Sequence, residues 1–152
     1  MRLPLFLCIG ALWLNSSIVY AQSDKEADQI LGIWLTGSKK AKVNIVKCKD
    51  HYCGVIVWLR DPYYEDGSVK RDKKNEDESL RGREVMGINI LEGFVYDGDL
   101  EWEDGEIYDP DNGKTYSCVM NLIPEKNILE VRGYIGISLI GRTEEWIRSS
   151  LD

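Results

Sequence analysis

The sequence predicts an all-β protein, a single antiparallel up-and-down β-barrel of about eight strands. Short segments in which apolar and polar residues alternate follow one another along the chain with turn residues between them, a pattern typical of strands with one buried face. The composition, 43% hydrophobic and 30% charged over 152 residues, suits one globular domain. A sheet built from such a meander exposes two unpaired edges unless its first and last strands pair, so we expect closure into a barrel.

Residues 1–21 have the three parts of a signal peptide. A positive charge at the second position precedes an apolar run from Leu3 to Leu14, and Val19-Tyr20-Ala21 has the small-residue pattern of a cleavage site. Asn15 and the two serines after it end the run before it reaches the roughly 20 apolar residues that a membrane-spanning helix needs. We therefore expect an exported protein without a membrane anchor, whose barrel domain comprises residues 22–152.

The charge balance argues against one class of partner. Arg2 is the only charged residue of the leader, so its removal changes the net charge from −7 to −8. An acidic protein repels phosphate backbones, and no nucleic acid is therefore predicted as a partner. The one basic run, Lys70 to Lys74, lies between Glu65-Asp66 and Glu76-Asp77-Glu78, and we expect it to be a solvated loop.

The limits of the strands follow from the alternation and from the turn residues on either side. A single helical turn is predicted between Asp24 and Gln29, where it would plug one end of the barrel. The predicted strands are Ile30 to Thr36, Ala41 to Cys48, Gly54 to Leu59, Ile88 to Tyr96, Leu100 to Tyr108, Thr115 to Ile123, Ile128 to Ile137 and Arg142 to Arg148.

The connection at residues 61–83 is long, charged and too polar for a strand. Asn75 to Gly82 has an N-cap residue, acids in the first turn and a terminal glycine, which predicts a helix of one or two turns. We expect this short helix at the barrel mouth. It is either a lid, with Leu80 pointing inward beside Arg81 and Arg83, or a simple staple for the loop.

Cys48 and Cys53 flank four residues that we interpret as a hairpin loop. Pairing the two cysteines across the hairpin gives a distance suited to a disulfide, which an exported protein is free to form. A zinc site from both cysteines and His51 is the alternative, but it lacks a fourth ligand, and no metal is predicted. Cys118 lies on an apolar strand face and is predicted to be a buried, reduced thiol.

The same register places Ile45 opposite Ile56 and turns Trp58 toward the barrel interior. Val55 and Val57 then point outward and form an apolar outer stripe. This stripe is either covered by a terminal segment or binds a protein partner.

The opening of the first strand is expected to close one end of the barrel. Trp34 would plug that end, Gly32 would allow close approach of another group, and a guanidinium from the last strand would lie over the indole face. In the last strand, Arg142 and Glu144 share the face of Trp146, so an inward Trp146 carries both charged residues inward.

An eight-stranded barrel either fills with its own side chains or holds one small ligand. Inward apolar residues would line a pocket, and Arg142 or Arg132 would anchor a carboxylate or phosphate. Neutralisation of Arg142 by Glu144 inside the protein is the alternative. The candidate ligand-binding residues are Trp34, Ile45, Ile56, Trp58, Tyr116, Met120, Arg132, Arg142 and Trp146.

Seven short motifs occur in one order after the leader. They are Gly32-Ile33-Trp34, Cys53-Gly54, Leu80-Arg81-Gly82-Arg83, Tyr108-Asp109-Pro110, Gly113-Lys114-Thr115-Tyr116, Arg132-Gly133-Tyr134 and Gly141-Arg142-Thr143 with Trp146. Their order resembles a family of secreted bacterial proteins known as domain of unknown function two-one-four-seven. The resemblance covers nearly the whole mature chain. It implies a lipocalin-like or fatty-acid-binding-protein-like barrel in the bacterial envelope, periplasmic or secreted, and brings no catalytic residues.

Three functions are compatible with such a barrel. Binding of a small hydrophobic or amphipathic ligand in the interior is favoured. The alternative is a structural or protein-interaction module of the cell envelope with a filled barrel. A hydrolase is least favoured, because no nucleophile, metal-ligand set or phosphate-binding loop is visible in the sequence, and no cofactor is predicted.

Overall fold

Eight antiparallel strands form a closed barrel in the computed structural model, which describes residues 24–137 and 139–152. Each strand pairs with its neighbours in sequence, and the first pairs with the last to close the sheet. The predicted all-β barrel is therefore confirmed, whereas the predicted signal peptide lies outside the described residues and stays a prediction. The strands are β1 (Gly32–Leu35), β2 (Ala41–Cys48), β3 (His51–Leu59), β4 (Asn89–Gly98), β5 (Glu101–Asp109), β6 (Lys114–Ile123), β7 (Ile128–Tyr134) and β8 (Gly141–Ser149).

The turns between successive strands alternate between the two ends of the barrel. We call the end with the β2–β3, β4–β5 and β6–β7 turns the closed end. The 3-10 helix Asp28–Ile30 precedes β1 at this end. The open end carries the β1–β2, β5–β6 and β7–β8 hairpins and the long connection between β3 and β4. No helix within the described part of the chain has the length and apolar character needed to cross a membrane.

Trp34 and Arg148 seal the closed end. The Trp34 side chain is fully buried, and its Nε1 donates a hydrogen bond to the Ile30 carbonyl at 2.8 Å. The Arg148 guanidinium lies 4.1 Å from the centroid of the indole ring and donates hydrogen bonds to the carbonyls of Leu31 and Gln29. The predicted contact between Trp34 and a guanidinium of the last strand is confirmed, and it joins β8 to the segment before β1.

Two glycines make room for the groups that fill the closed half. Gly32 has a φ of +116°, and a Cβ there would lie 3.3 Å from Nη1 of Arg148. A Cβ on Gly105 would lie only 2.4 Å from the ring of Phe94. The backbone of β5 is also irregular at this point, since Asp104 has a positive φ and the register with β6 shifts just before Gly105. Both positions therefore require glycine for close packing.

The predicted register between β2 and β3 is wrong by two residues. Lys49 and Asp50 alone form the turn, with Lys49 at a φ of 58°, so β3 begins at His51. Cys48 consequently faces His51 across the hairpin. The Cα atoms of Cys48 and Cys53 are nonetheless 5.9 Å apart, and the two residues form the predicted disulfide. A shift of two residues keeps every side chain on its predicted face.

The predicted inward position of Trp58 is wrong because β3 has a β-bulge at this point. Val43 pairs with Ile56, but Lys42 pairs with Trp58, so β3 has one extra residue between these pairs. The bulge moves Trp58 to the face of Lys42, whose Nζ lies 5.4 Å from the centroid of the Trp58 ring. Leu59 takes the inward position instead.

We expect Arg148→Met to destabilise the barrel, because the substitution removes the contact with Trp34 and two hydrogen bonds. The free energy of unfolding in urea should fall by about 3 kcal/mol. Arg60→Met is the matched control, since the ion pair of Arg60 with Asp61 is exposed and should contribute less than about 1 kcal/mol. Equal losses in the two variants would contradict the closing role of Arg148.

The described cysteines should differ in their response to reagents. Cys48 and Cys53 close a short loop, so reduction should cost about 2 kcal/mol and leave the barrel folded. Burial raises the pKa of the Cys118 thiol to about 12, and we expect it to resist alkylation at neutral pH until the protein unfolds. Unfolding in urea with and without reductant measures the first effect, and alkylation followed by peptide mapping measures the second. Label on Cys118 in the folded protein would contradict the structure.

Candidate functional site

A cavity of about 1130 Å³ occupies the open half of the barrel and opens to solvent at the open end. Its walls are largely aliphatic, because the inward positions near the open ends of the strands carry Val, Ile and Leu. Trp146 from β8 also lines the cavity, and Tyr108 and Tyr116 contribute near the mouth. The apolar lining residues other than tyrosine and glycine are Ala41, Ile56, Leu59, Val85, Ile90, Ile107, Pro110, Val131, Ile135, Ile140 and Trp146.

Large side chains fill the closed half, which places the cavity at the other end. The largest fully buried side chains there are Ile30, Trp34, Ile45, Phe94, Trp102, Met120 and Leu129. Trp34, Ile45 and Met120, which the sequence predicts as pocket residues, therefore belong to the packed core. An inward strand position alone does not distinguish a core residue from a cavity residue.

Four of the nine predicted ligand-binding residues line the cavity, namely Ile56, Tyr116, Arg142 and Trp146. Arg132 does not, because it alternates with the buried Val131 on β7. Its guanidinium donates to Oγ1 of Thr143 and to the carbonyl of Leu139.

The connection between β3 and β4, residues 60–88, forms one side of the cavity mouth, and we call it the mouth loop. Its predicted short helix is present as the 3-10 turn Glu78–Leu80, capped by Asp77. The expected inward orientation of Leu80 is wrong, since its side chain is exposed and does not line the cavity. Arg81 and Arg83 do not line it either. The mouth loop is instead held by polar contacts.

Asp72 is the centre of these polar contacts. Its carboxylate is completely buried and accepts hydrogen bonds from the Tyr108 hydroxyl, from Nδ2 of Asn75 at 2.8 Å and from Nε of Arg83 at 2.9 Å. Nη2 of Arg83 completes the ion pair at 2.8 Å. Because Tyr108 belongs to β5, this cluster fixes the mouth loop to the barrel wall. Arg81 adds a hydrogen bond from its Nε to the Asn75 carbonyl.

The surroundings of Tyr108 keep its hydroxyl protonated, so that it can donate a hydrogen bond to Asp72. Burial, together with the hydrogen bond to Asp72 and its negative charge, raises the pKa of Tyr108 to about 12. The hydroxyl therefore remains a donor at neutral pH. A buried carboxylate with several donors and a cationic partner is a stable arrangement, whereas the same carboxylate alone would be costly.

A second attachment joins the mouth loop to the β5–β6 hairpin. A Cβ on Gly113 would lie 1.8 Å from the Lys74 carbonyl oxygen, so only glycine allows the two backbones to meet here. Nζ of Lys74 donates to the Asp111 carbonyl at 2.6 Å, and Lys40 pairs with the Asp111 carboxylate at 3.3 Å. The basic run from Lys70 to Lys74, predicted as a solvated loop, thus lies at the cavity mouth.

The cavity mouth carries more positive than negative side chains, although the whole protein is acidic. The acids are Asp61, Asp109, Asp111 and Glu144, and the cations are Lys40, Lys70, Arg71, Lys73, Lys74 and Arg142.

Two of the mouth cations differ in their availability to a ligand. Arg142 pairs with Glu144 at 3.2 Å, but its side chain is 84% exposed. The predicted pair therefore forms, whereas its predicted position inside the protein is wrong, because Arg142 lies at the open end of β8. Lys70 is half-buried, and no side-chain hydrogen bond or ion pair is found for it among residues 24–137 and 139–152. Lys70 is therefore the mouth cation best placed to bind an anionic group.

The indole of Trp146 lines the cavity, but its nitrogen does not face it. The side chain is buried, and its Nε1 is enclosed by protein atoms and has no hydrogen-bond partner within the described residues. Trp146 therefore contributes an apolar ring surface to the wall. No group of three or more His, Cys, Asp or Glu side chains in the described part of the chain is arranged to hold a metal ion.

Comparison with known proteins agrees with this architecture. A solved structure from Helicobacter pylori, described as protein HP1028 and as belonging to the lipocalin family, is 24% identical in sequence. The alignment covers 80% of this chain and 84% of that chain, with a TM-score of 0.67. This similarity shows the fold. No functionally curated protein matches the sequence.

A family model provides the assignment. It is described as an uncharacterized protein conserved in bacteria (DUF2147) and matches residues 32–148. The match begins at Gly32 in β1 and ends at Arg148 in β8, so it spans the whole barrel from the first strand of the closing pair to the last. The chain belongs to this DUF2147 family of bacterial proteins.

Proposed function

We propose that this protein is exported to the bacterial envelope, where it binds one small hydrophobic or amphipathic molecule in the open-end cavity. The observation that carries the proposal is the cavity itself, with aliphatic walls, a cation-rich mouth and a mouth loop fixed across one side. Ligand sites typically have a few hundred to about 1,000 Å³ of mostly apolar volume with a few polar groups. The cavity of this barrel has that character.

The distribution of polar groups favours an amphipathic ligand with an anionic end. The apolar walls suit a hydrocarbon portion, and Lys70 at the mouth suits a carboxylate or phosphate. The sequence favours Arg142 as the anchor. We now assign the main role to Lys70, because Arg142 already pairs with Glu144 and is largely exposed, where ion pairs contribute little.

Export is part of the same proposal. The predicted leader and cleavage after Ala21 support it, and the disulfide between Cys48 and Cys53 suits an oxidising compartment such as the periplasm. The intact mass of the exported protein tests this part: it should correspond to a chain that begins at Gln22.

The alternative is a structural or protein-interaction module of the envelope. The packed closed half is compatible with it, but the cavity in the open half is not expected of a completely filled barrel. Val55 and Val57 are half-buried on the outer wall, and a protein partner at that surface stays a prediction. A hydrolase remains the least favoured hypothesis, since the single histidine, His51, is exposed at the closed end, away from the cavity.

Binding of a matched pair of probes tests the ligand proposal. Dodecanoate and dodecanol share a hydrocarbon chain, but only the former is anionic. We expect dodecanoate to change the tryptophan fluorescence, and Lys70→Met to weaken its binding roughly tenfold without altering dodecanol binding. Lys126→Met, in the 3-10 turn at the closed end, is the control and should leave both affinities unchanged.

A second variant identifies the source of the signal. Trp146→Phe should remove most of the ligand-dependent fluorescence change, because Trp146 lines the cavity while Trp34 and Trp102 are packed in the closed half. If neither probe changes the fluorescence of the unmodified protein, the ligand proposal is wrong and the structural alternative replaces it.

The attachment of the mouth loop to the barrel should depend on Asp72 more than on the other acidic residues of the loop. Asp72→Asn removes the charge that pairs with the half-buried Arg83, so we expect a loss of about 2 to 3 kcal/mol in unfolding free energy. Faster proteolysis within residues 60–88 should accompany that loss. Asp77→Asn changes an exposed cap of the same loop and should cost less than about 1 kcal/mol. Equal proteolysis of the two variants would show that Asp72 does not hold the loop.

A further inference from the structure

Four aliphatic side chains are exposed together at the tip of the β7–β8 hairpin. The exposed fractions of Ile135, Ile137, Leu139 and Ile140 are 70%, 58%, 85% and 71%. The sequence predicts that β7 continues through Ile137, but the strand ends at Tyr134, and Gly136 turns the chain with a φ of 78°. Isolated exposed aliphatic residues are ordinary, whereas four in one hairpin indicate an interaction surface. We call these four residues the apolar tip.

The apolar tip lies beside the cationic mouth of the cavity. Ile135 and Ile140 line the cavity together with Lys40, Lys70 and Arg142, so apolar and cationic groups share one end of the barrel. Lys73 and Lys74 lie on the same rim.

The closed end has the opposite charge. The β4–β5 turn there places Asp97, Asp99 and Glu101 close together. Repulsion from Asp97, with further contributions from burial and from Asp104 and Glu101, raises the pKa of Glu103. The two ends therefore differ in charge: acids prevail at this turn of the closed end, whereas cations prevail among the residues that line the cavity mouth.

We propose that the open end docks on an anionic lipid surface, with the apolar tip inserted among the lipid headgroups and the mouth cations over the phosphates. Aliphatic groups flanked by lysine and arginine are the combination that binds such interfaces. The charge complementarity argues for this partner, because the acidic closed end is repelled by an anionic surface and the basic mouth is attracted. Docking in this orientation places the cavity mouth against the lipid.

This inference goes beyond ligand binding, because docking is measured without any ligand in the cavity. The test is co-flotation of the exported protein with vesicles of phosphatidylcholine alone or of phosphatidylcholine mixed with phosphatidylglycerol. The protein should float only with the mixed vesicles, and added salt should release it. Equal binding to both vesicle types, or to neither, would overturn the proposal.

Matched variants test which part of the protein surface contacts the vesicles. Ile137→Ser with Leu139→Ser should reduce flotation at least roughly tenfold, whereas Val46→Ser with Val95→Ser, two less exposed positions on the strands, should leave it unchanged. Lys73→Gln at the mouth should weaken it roughly fivefold, and Lys126→Gln at the closed end should not. Unchanged circular dichroism confirms that each variant is folded.

Two further outcomes would overturn the proposal. One is undiminished flotation of the apolar-tip variant. The other is self-association of the unmodified protein, in sedimentation velocity without vesicles, that the apolar-tip substitutions abolish, since this would make the tip an interface between copies of the chain. The proposed ligand binding is judged separately by the Trp146 fluorescence in solution.

Discussion

Pairing of the first strand with the last is the constraint on which the rest of the structure depends. It leaves no unpaired sheet edge, and Arg148 over Trp34 secures it at the closed end. Trp34 is also part of the packed half of the interior, together with Trp102, Phe94 and Met120. Since eight strands enclose only a limited volume, filling one half leaves the remaining space at the open end. The position of the cavity is therefore a consequence of how the barrel closes.

The mouth of the cavity is organised by polar rather than apolar contacts. A charged loop cannot cover the barrel by hydrophobic packing, so it is attached through the buried Asp72, whose charge is balanced by Arg83 and by donors from Tyr108 and Asn75. Close backbone contact at Gly113 provides the second attachment. These attachments hold basic side chains around an aliphatic cavity, and that combination underlies both the ligand and the lipid-surface proposals.

The sequence was sufficient for the architecture because alternation, turn residues and the cost of open edges all predict the same barrel. It also predicted the disulfide, the buried Cys118 and the guanidinium over Trp34. The orientation of Trp58 was wrong because alternation does not reveal a bulge, and the β2–β3 register was wrong because loops of two or four residues both bring Cys48 and Cys53 together. The cavity was predicted only in part. Asp72 was missed, since one buried carboxylate among many loop charges has no local pattern.

A ligand in the open half of the barrel would be detected most directly in the mass of the folded protein. The protein is exported in a bacterial host, purified without detergent and measured by native mass spectrometry beside the same sample after denaturation. We expect a folded mass that exceeds the denatured mass by one small molecule, which dissociates on unfolding. Identical folded and denatured masses would contradict this expectation.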